Sequence, residues 1–430
     1  MNLELRNVGK IKYANVELNG ITVLAGENNT GKSTIGKMLF CIFHSFCKIE
    51  EQIREERIKS MERVLSSFDY GNPFIRFLDI TLLAKKIINS KELFLTNRSD
   101  LIKELEQFYT SNEEKVQQSI SQEELEKLAE RVCVFLKLED SEIRKTILRK
   151  RLQAEFAMNV GNLNHLEDDG KTTVKLTIKN NTIDFVIIKN KEIHISNYIS
   201  LTKEIIYIDD PFILDDLDVI NVFTTFTTFE HRGDLLNKIV NGKAKDPFDF
   251  TIIDEIIAEK KLEKILKIMN DVCSGSLQAE EGKDFVYKEE NFNGTLNMVN
   301  LSTGIKSFVI LKQLLQSGII DEHGMIILDE PEIHLHPEWQ LKFAESIVLI
   351  QKEFHTNILL NTHSPYFLNA IEVYSQKYGI DDKCKYYLAE DRGGNAVISD
   401  VTDKTEVLYA KLAQPLQKLE NLEYGNGNTI

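Results

Sequence analysis

The pattern of apolar and polar positions predicts three short strands at the start of the chain. Apolar residues alternate with polar ones along Asn2–Val8 and Ala14–Leu18, as in strands with one buried face. Ile21–Ala25 is apolar at nearly every position, a pattern of strands buried on both faces. Gly9 and Gly20 separate the three segments. We therefore expect a sheet that begins near the N-terminus.

After the third strand the apolar positions change to helical spacing. The apolar residues that follow the loop Gly26–Ser33 are Ile35, Leu39, Ile42, Phe43 and Phe46. Recurrence at about one helical turn predicts an amphipathic helix. A buried strand, a Gly-rich loop and a helix therefore follow one another directly.

The middle of the chain changes character twice. Residues 47–165 are charged and predicted to be mostly helical, and Ser121 with Glu124 matches a capping box. Residues 171–198 return to alternation, which predicts a small β-meander. No long heptad run is present, so we expect a compact helical insert and not an extended coiled coil.

The second half alternates strands with helices. Short apolar strands are predicted at Glu204–Ile208, Met325–Leu328 and Ile358–Leu360, and helices at Ile305–Leu315 and from Glu338 to about Lys352. Strands that alternate with helices favour a parallel sheet with helices on its faces. The sequence therefore predicts an α/β fold with a mixed or parallel sheet.

The tail is predicted to contain a hairpin around Arg392–Asn395 and then a helix. Leucines recur at helical spacing along that helix, at Leu408, Leu412, Leu416 and Leu419. Pro415 is expected to kink it, because a proline inside a helix removes a hydrogen bond.

Composition and charge restrict the classes of function. The chain has 430 residues, of which 42% are hydrophobic and 28% charged, as in a soluble globular protein of one or two domains. Its net charge of −15 argues against general coating of nucleic acid, which needs clustered Lys and Arg. The basic run Arg144–Arg151 leaves a nucleic-acid stripe open, although we expect a solvated helix face.

No feature of the sequence indicates a membrane or secreted protein. The apolar runs are shorter than a membrane span requires, and the N-terminus lacks the charged start and apolar run of a signal peptide. The five cysteines are scattered and form no CxxC pair. We therefore expect a cytoplasmic protein with free thiols and no membrane partner.

The loop after the third strand has the spacing of a phosphate-binding P-loop. Its residues predicted to bind ATP are Gly26, Asn28, Asn29, Thr30, Gly31, Lys32, Ser33 and Thr34. The glycines let backbone N–H groups approach a phosphate, and the following helix directs its positive end toward it. Lys32 would bind the β- and γ-phosphate oxygens, and the Ser33 hydroxyl would bind Mg²⁺.

Three polar residues follow two of the predicted strands. Asp329 ends the first strand and would lie near the metal, and Glu330 could deprotonate or orient the attacking water. His363 follows the next strand and could hydrogen-bond the γ-phosphate or that water. We expect Lys32, Glu330 and His363 to be catalytic. The alternatives are a helix cap near Pro331 and a structural histidine.

The segment Leu301-Ser-Thr-Gly304 opens a predicted helix about 25 residues before Asp329. Ser302 is expected to cap that helix and to donate to an anion at its positive end. This short pattern is common, and its position relative to the other motifs gives it weight.

Together the motifs resemble an ATP-binding-cassette ATPase of the RecF, chromosome-maintenance and overcoming-lysogenisation class. Asp329–Pro337 and Asn361–Pro365 closely resemble the overcoming-lysogenisation-like members. The resemblance implies that ATP lies between two heads, where Ser302 and Gly304 of one copy contact the γ-phosphate held by Lys32 of the other. It also implies that Glu330 is the general base and His363 the switch histidine. Ser33 and Asp329 would be the Mg²⁺ partners, and Ile333–His336 would form a loop that crosses to the neighbouring copy.

The chain departs from the family pattern in two places. The signature lacks the second Gly and the Gln of the transporter version, and no Gln is present in Glu204–Pro211, where Asp209 or Asp210 could substitute. His334 and His336 could bind a metal, although packing in the crossing loop is favoured. The acidic residues Asp209, Asp210, Asp215, Asp216 and Asp218 could bind a cation, although a solvated turn is favoured.

The resemblance also suggests a division of the chain and a cellular role. The expected segments are an N-terminal part of the head (1–46), an insert (47–200), a C-terminal part of the head (201–380) and a hairpin with a helix for partner docking (381–430). Only 67 residues follow His363, which is short for a nuclease domain, and no HNH pattern is present. The chain looks like the ATPase subunit of a Septu-type or PARIS-type antiphage system.

That role implies a homo-oligomer, a head-to-head dimer or higher such as a hexamer, and a separate effector nuclease. The main alternative is a RecF-like repair ATPase that binds nucleic acid, which the acidic net charge disfavours. A non-hydrolysing scaffold is a further alternative, against which Glu330 argues. An importer subunit is another, against which the signature argues.

Overall fold

The computed structural model describes residues 1–67, 77–110, 121–157, 159–161, 170–219, 229–242, 252–279, 285–289 and 294–425. Within these ranges the strands are β1 (Asn2–Val8), β2 (Ile11–Glu17), β3 (Ile21–Gly26), β4 (Lys171–Ile178), β5 (Asn181–Ile188), β6 (Glu192–Asn197), β7 (Ile205–Ile208), β8 (Ser276–Ala279), β9 (Phe285–Lys288), β10 (Thr295–Asn297), β11 (Met325–Asp329), β12 (Asn357–Thr362), β13 (Cys384–Arg392) and β14 (Asn395–Asp400).

Helices account for most of the remaining described residues. They are α1 (Lys32–Phe46), α2 (Ile49–Ser66), α3 (Phe77–Asn89), α4 (Lys91–Thr96), α5 (Arg98–Thr110), α6 (Gln122–Lys137), α7 (Asp140–Phe156), α8 (His231–Asn241), α9 (Ile252–Asn270), α10 (Thr303–Gln316), α11 (Pro337–Phe354), α12 (Pro365–Tyr378) and α13 (Glu406–Gly425). Short 3₁₀ segments lie at Pro211–Val219, Met298–Asn300 and Asp381–Lys383. Among the residues described, no helix is both long and apolar enough to cross a membrane.

One large mixed sheet organises the fold. Its strand order is β6-β5-β4-β1-β2-β14-β13-β3-β12-β11-β7. The strands from β13 to β7 are parallel, and the arm from β6 to β2 is antiparallel. A separate sheet has the order β10-β9-β8. The predicted α/β class with a mixed sheet is therefore confirmed.

The parallel strands are buried on both faces, which explains their almost continuous apolar sequences. Ile21 and Val23 of β3 belong to one apolar cluster, and Leu24 belongs to a second. Likewise Ile326 of β11 lies in the first cluster and Ile327 in the second. Because successive side chains of a strand point to opposite faces, each cluster covers one face of the sheet.

The chain forms two compact units. Unit 1 comprises Met1–Cys47 and Leu148–Ile430, and unit 2 comprises Lys48–Ile147. The meander β4–β6, expected in the insert 47–200, extends the main sheet, because β4 pairs with β1. Strand β13, expected in a separate tail, pairs with β3 near the middle of that sheet. The insert thus spans fewer residues than expected, and the hairpin is part of the main sheet.

Unit 2 is helical and has its own apolar core. Leu65, Leu83, Leu105, Leu128 and Val132 are buried in it. The predicted capping box is present at the start of α6, where the Ser121 hydroxyl accepts from the Glu124 amide and the Glu124 carboxylate accepts from the Ser121 amide. These helices are amphipathic, as their spacing of apolar residues requires.

The basic run on α7 differs from the expected solvated face. Arg149 and Lys150 are exposed, but Arg151 is only 6% exposed. The Arg151 guanidinium lies 4.8 Å from the centroid of the Phe229 ring. Burial of Leu148 and Leu152 beside it carries Arg151 inward, because residues about one turn apart share a helix face.

The C-terminal helix α13 runs through Pro415. The kink expected there stays a prediction. Leu408 is buried, Leu412 is partly buried and Leu419 is 63% exposed, whereas the side chain of Leu416 lies outside the described part of the chain.

Candidate functional site

Four neighbouring parallel strands end at one edge of the sheet. In the register, Thr362 of β12 lies opposite Ala25 of β3, Asp329 of β11 lies opposite Asn361, and Leu328 lies opposite Ile208 of β7. Ligands of open α/β sheets bind beyond the carboxyl ends of the strands. This edge brings together the loop after β3 and the ends of β7, β11 and β12.

The loop after β3 is tightly curved at two glycines. Gly26 has φ 148°, and a Cβ there would lie 2.0 Å from the Ala389 carbonyl oxygen. Gly31 has φ 84° and caps α1, so the loop leads directly into the helix N-terminus. Both positions require glycine, and the amides of such a loop can surround a phosphate.

The Lys32 ammonium is folded into this loop. Its Nζ donates to the carbonyl oxygens of Gly26 at 3.1 Å and Glu27 at 2.8 Å. Burial lowers the pKa of Lys32 to about 8, although Glu330 and Asp329 lie near enough to raise it. The buried ammonium group therefore lies within the loop that the P-loop pattern predicts to bind a phosphate.

The remaining predicted loop residues differ in exposure. Asn28, Asn29 and Ser33 are exposed, Thr34 is partly buried, and Thr30 is buried with its hydroxyl donating 2.7 Å to the Glu27 carbonyl oxygen. The exposed Ser33 hydroxyl stands in the first turn of α1. It is available for a metal bound near Asp329.

Two side chains for which no role was predicted hold the Asp329 carboxylate. The Tyr207 hydroxyl of β7 donates to Oδ2 at 2.9 Å, and the Asn361 amide of β12 donates to Oδ1 at 2.8 Å. Asn361 lies in the Asn361–Pro365 motif, but it is 32 residues from Asp329 along the chain, and Tyr207 is 122 residues from Asp329. The two hydrogen bonds fix the direction of a carboxylate that is 9% exposed.

Glu330 and His363 form a hydrogen-bonded pair. His363 Nε2 contacts Glu330 Oε1, and the hydrogen bond from His363 lowers the pKa of Glu330. The Glu330 backbone has φ 53°, an uncommon conformation for a residue with a side chain, and its amide donates 2.9 Å to the Asn361 carbonyl oxygen. The strand ends thus place an ionised carboxylate and an imidazole side by side.

The signature segment lies at the start of α10. Ser302 precedes the helix and is exposed, but its side chain makes no capping hydrogen bond there, contrary to expectation. Gly304 packs closely, since a Cβ would lie 3.0 Å from the His334 carbonyl oxygen and 3.1 Å from the Trp339 ring. Across the described residues, no hydrogen bond links Ser302 to the P-loop of its own chain.

The two candidate metal clusters have other contacts. The acidic run after β7 continues into the 3₁₀ segment Pro211–Val219, where Asp216 is exposed. Two of its members are paired: Asp215 binds Lys306 at 2.5 Å, and Asp210 binds Arg232 at 2.8 Å. The Asp218 side chain lies outside the described residues. His336 accepts from the Glu338 amide, which caps α11. Among the residues described, no group of three metal-binding side chains is present.

His334 packs its ring against Phe212, with 5.6 Å between centroids. Asp209, considered as a substitute for the missing glutamine, pairs with His231 at 2.9 Å. Both residues therefore have partners within the protein.

Comparison with known families decides the class. Residues 21–369 match the family described as "AAA domain, putative AbiEii toxin, Type IV TA system". The chain belongs to this family. The match begins at β3, includes the P-loop and extends past His363. The expected class of P-loop ATPases related to antiphage systems is thereby supported.

A curated relative agrees with this assignment. The Septu protein PtuA of Bacillus thuringiensis is 30% identical over 111 residues, which are 23% of this chain and 28% of that protein. The chain thus matches just over a quarter of that relative's length.

Solved head domains of SMC proteins align over most of the chain. The Thermotoga maritima SMC head domain is 12% identical, with a TM-score of 0.40, over 93% of this chain and 98% of that one. The SMC head bound to the C-terminal winged-helix domain of ScpA is 10% identical, with a TM-score of 0.47, over 94% and 98%. The fold class depends on the sheet described above, and not on these alignments.

The residues at the sheet edge fit a nucleotide with Mg²⁺. The loop turns at Gly26 and Gly31, where a Cβ would clash with Ala389 and Ile11 respectively. Lys32 supplies a buried cation, and the Ser33 hydroxyl and Asp329 carboxylate are oxygen ligands of the kind Mg²⁺ prefers. Nucleotide binding is also what membership of an AAA-domain family implies.

Proposed function

We propose that the chain hydrolyses ATP in sites shared between copies of itself and thereby controls a separate effector. The observation that supports this best is the Glu330–His363 pair, which lies at the same sheet edge as the buried Lys32. A base, a histidine and a phosphate-binding cation at one edge form the set that hydrolysis of a phosphoanhydride needs.

Each residue then has a defined task. Lys32 exchanges its carbonyl partners for phosphate oxygens, and Glu330 accepts a proton from the attacking water. His363 holds the Glu330 carboxylate through Nε2, and this hydrogen bond lowers the pKa of Glu330. Ser33 and Asp329 would hold Mg²⁺, which would neutralise charge on the phosphate oxygens. Tyr207 and Asn361 keep the Asp329 oxygens directed.

The signature residues support a shared site. Ser302 is exposed in front of α10, and its hydroxyl is not used to cap that helix. A helix N-terminus attracts anions. We infer that Ser302 and the N-terminus of α10, with Gly304 in its first turn, bind the γ-phosphate of an ATP molecule held by the P-loop of a second copy. This arrangement implies a dimer or a higher assembly such as a hexamer.

The role as a controller of an effector is supported by the relative and by the tail. The relative is a Septu protein, and α13 exposes two leucines near its end, Leu419 at 63% and Leu422 at 66%. We infer that the protein serves in antiphage defence, with α13 as a candidate docking helix for a nuclease. Co-purification with the product of a neighbouring gene tests this, and loss of the complex in Leu419→Asp would support the docking site.

Mixing two inactive variants tests the shared site. Lys32→Ala damages the P-loop half and Ser302→Arg damages the signature half. If sites are shared, a mixed dimer has one doubly damaged site and one intact site, so mixing restores part of the phosphate release. A mixture of Lys32→Ala with Glu330→Gln is the control, because both changes affect the same half and no intact site can form. Equal lack of activity in both mixtures would contradict shared sites.

A further inference from the structure

One buried carboxylate oxygen gathers donors from the turn that carries His363. Glu332 is 4% exposed. Its Oε1 accepts from the Thr362 hydroxyl at 2.5 Å, the His363 amide at 3.0 Å and the Ser364 amide at 3.3 Å. Three consecutive residues, from the last residue of β12 onward, therefore donate to a single atom. Hydrogen bonds to an ionised acceptor are the strong class.

This arrangement is costly for the fold. Glu332 Oε2 is buried without a hydrogen-bond partner among the described residues, and burial raises the pKa of Glu332. An unsatisfied buried polar atom destabilises the fold. A carboxylate at this position is therefore explained by what its other oxygen holds, and not by stability alone.

A second set of contacts ties the same turn to the loop after β11. The Gln340 amide nitrogen donates to the carbonyl oxygens of Glu332 at 3.3 Å and Leu335 at 3.2 Å. Its oxygen accepts from the Ser364 hydroxyl at 3.3 Å. The Ser364 hydroxyl in turn accepts from the Phe367 amide at 3.1 Å and caps α12. The turn at His363 is thus held from the Glu332 side and from the α11 side.

We propose that Glu332 is a positioning residue that holds the Thr362–Ser364 turn so that His363 Nε2 meets the Glu330 carboxylate. The proposal rests on the proposed ATPase function and assigns a role to a residue of the Asp329–Pro337 motif for which none was predicted. Glu332 does not touch the reacting atoms. It acts through His363, and its removal should affect the rate more than the affinity for ATP.

The first test compares substitutions at Glu332 by steady-state phosphate release. Glu332→Ala should lower kcat by about 100-fold, at the lower end of what a positioned acid–base group contributes, while KM for ATP changes by less than about threefold. Glu332→Gln should keep kcat within about tenfold, because its amide oxygen can accept the same three hydrogen bonds. Glu338→Ala, an exposed glutamate in the first turn of α11, is the control and should leave kcat unchanged.

The second test asks whether Glu332 acts through His363. In a double-mutant cycle, Glu332→Ala should lower kcat little further when His363 is already Ala, because the group to be positioned is absent. Losses that multiply in the double variant would overturn the proposal. A fall in affinity for ATP as large as the fall in kcat would also overturn it. If Glu332→Ala does not fold, Thr362→Val removes one of the three donors and takes its place in the cycle.

A third measurement separates this proposal from the proposed function. If wild type and Glu330→Gln release phosphate equally, the ATPase proposal fails. Positioning is then decided by hydrogen exchange of the segment 361–368 in the full-length protein. Glu332→Ala should speed exchange there, and Glu332→Gln and Glu338→Ala should not. Unchanged exchange in Glu332→Ala would show that Glu332 does not hold the turn.

Discussion

The chemistry of individual residues converges on Glu330. Its left-handed backbone, with φ 53°, is unusual for a residue with a side chain, and backbone strain of this kind is concentrated at functional sites. The strained residue points its carboxylate at His363 while its amide remains bound to the Asn361 carbonyl oxygen. The conformation is therefore consistent with the role of general base proposed for the Glu330 carboxylate.

We expect Glu330→Gln to lower phosphate release by about 10²–10⁴-fold, the usual contribution of a general base. ATP binding should persist, because Lys32 and the P-loop are unchanged. A phosphate-release assay together with equilibrium nucleotide binding checks both outcomes. Glu338→Gln, on the exposed start of α11, is the matched control. Equal release by wild type and Glu330→Gln would favour a non-hydrolysing scaffold.

At the level of elements, one histidine joins three parts of unit 1. His231 at the start of α8 contacts Glu155 of α7 through Nδ1 at 2.9 Å and Asp209 after β7 through Nε2 at 2.9 Å. Its ring stacks on Tyr207 with 4.5 Å between centroids. Because Tyr207 also binds Asp329, the packing of α7 and α8 supports the candidate metal ligand.

This cluster predicts a pH dependence of stability. Burial opposes the charge on His231, but hydrogen bonds to Asp209 and Glu155 outweigh it and raise the pKa of His231 to about 9. The charged histidine stabilises the fold fully below pH 6.5, its ordinary pKa, and the stabilisation is lost as the pH rises through 9. We expect the contribution of His231 to the free energy of unfolding, measured as the difference between wild type and His231→Gln, to fall by ~2 kcal/mol between pH 7 and 9.5.

Denaturant unfolding at several pH values measures this change. His231→Gln should be less stable than wild type at pH 7, and the difference between the two should shrink toward pH 9.5. His194→Gln is the control, because His194 on β6 is exposed and lies 3.8 Å from the exposed Glu192. A difference between wild type and His231→Gln that stays the same from pH 7 to 9.5 would contradict the prediction.

At the level of the whole molecule, the proposed function requires a second copy whose signature helix completes the site at the sheet edge. We expect Glu330→Gln with ATP and Mg²⁺ to form dimers or larger assemblies, because the nucleotide persists between the copies. Mass measurement by light scattering checks this. Adding Ser302→Arg should keep the protein at its nucleotide-free mass, since a bulky cation would stand where the γ-phosphate must approach. A mass that ATP does not change would contradict nucleotide-dependent assembly.

Much of the fold could be predicted because strand and helix patterns are local. The N-terminal strands, the loop before α1 and the alternation that gives the α/β class follow from spacing of apolar residues and glycines. The position of β13 beside β3 could not be predicted, because strand order depends on contacts between segments more than 350 residues apart. The burial of Arg151 was also missed, since it depends on the ring of Phe229.

The candidate site divides in the same way. The order of motifs identified Lys32, Asp329, Glu330 and His363 as candidates, and the structure places them at one edge of the sheet. The supporting residues were found only in three dimensions. Glu332 was visible in a motif without a role, and the hydroxyl of Tyr207 has no sequence signature.

By itself, the sequence determined the local elements and the chemical groups available, because hydrogen bonding within a turn and the period of apolar residues are local properties. Only the tertiary structure decided which groups meet. Tyr207 reaches Asp329 and Glu332 reaches the turn at His363 because parallel strands end at a common edge, and neither pairing is encoded by spacing along the chain.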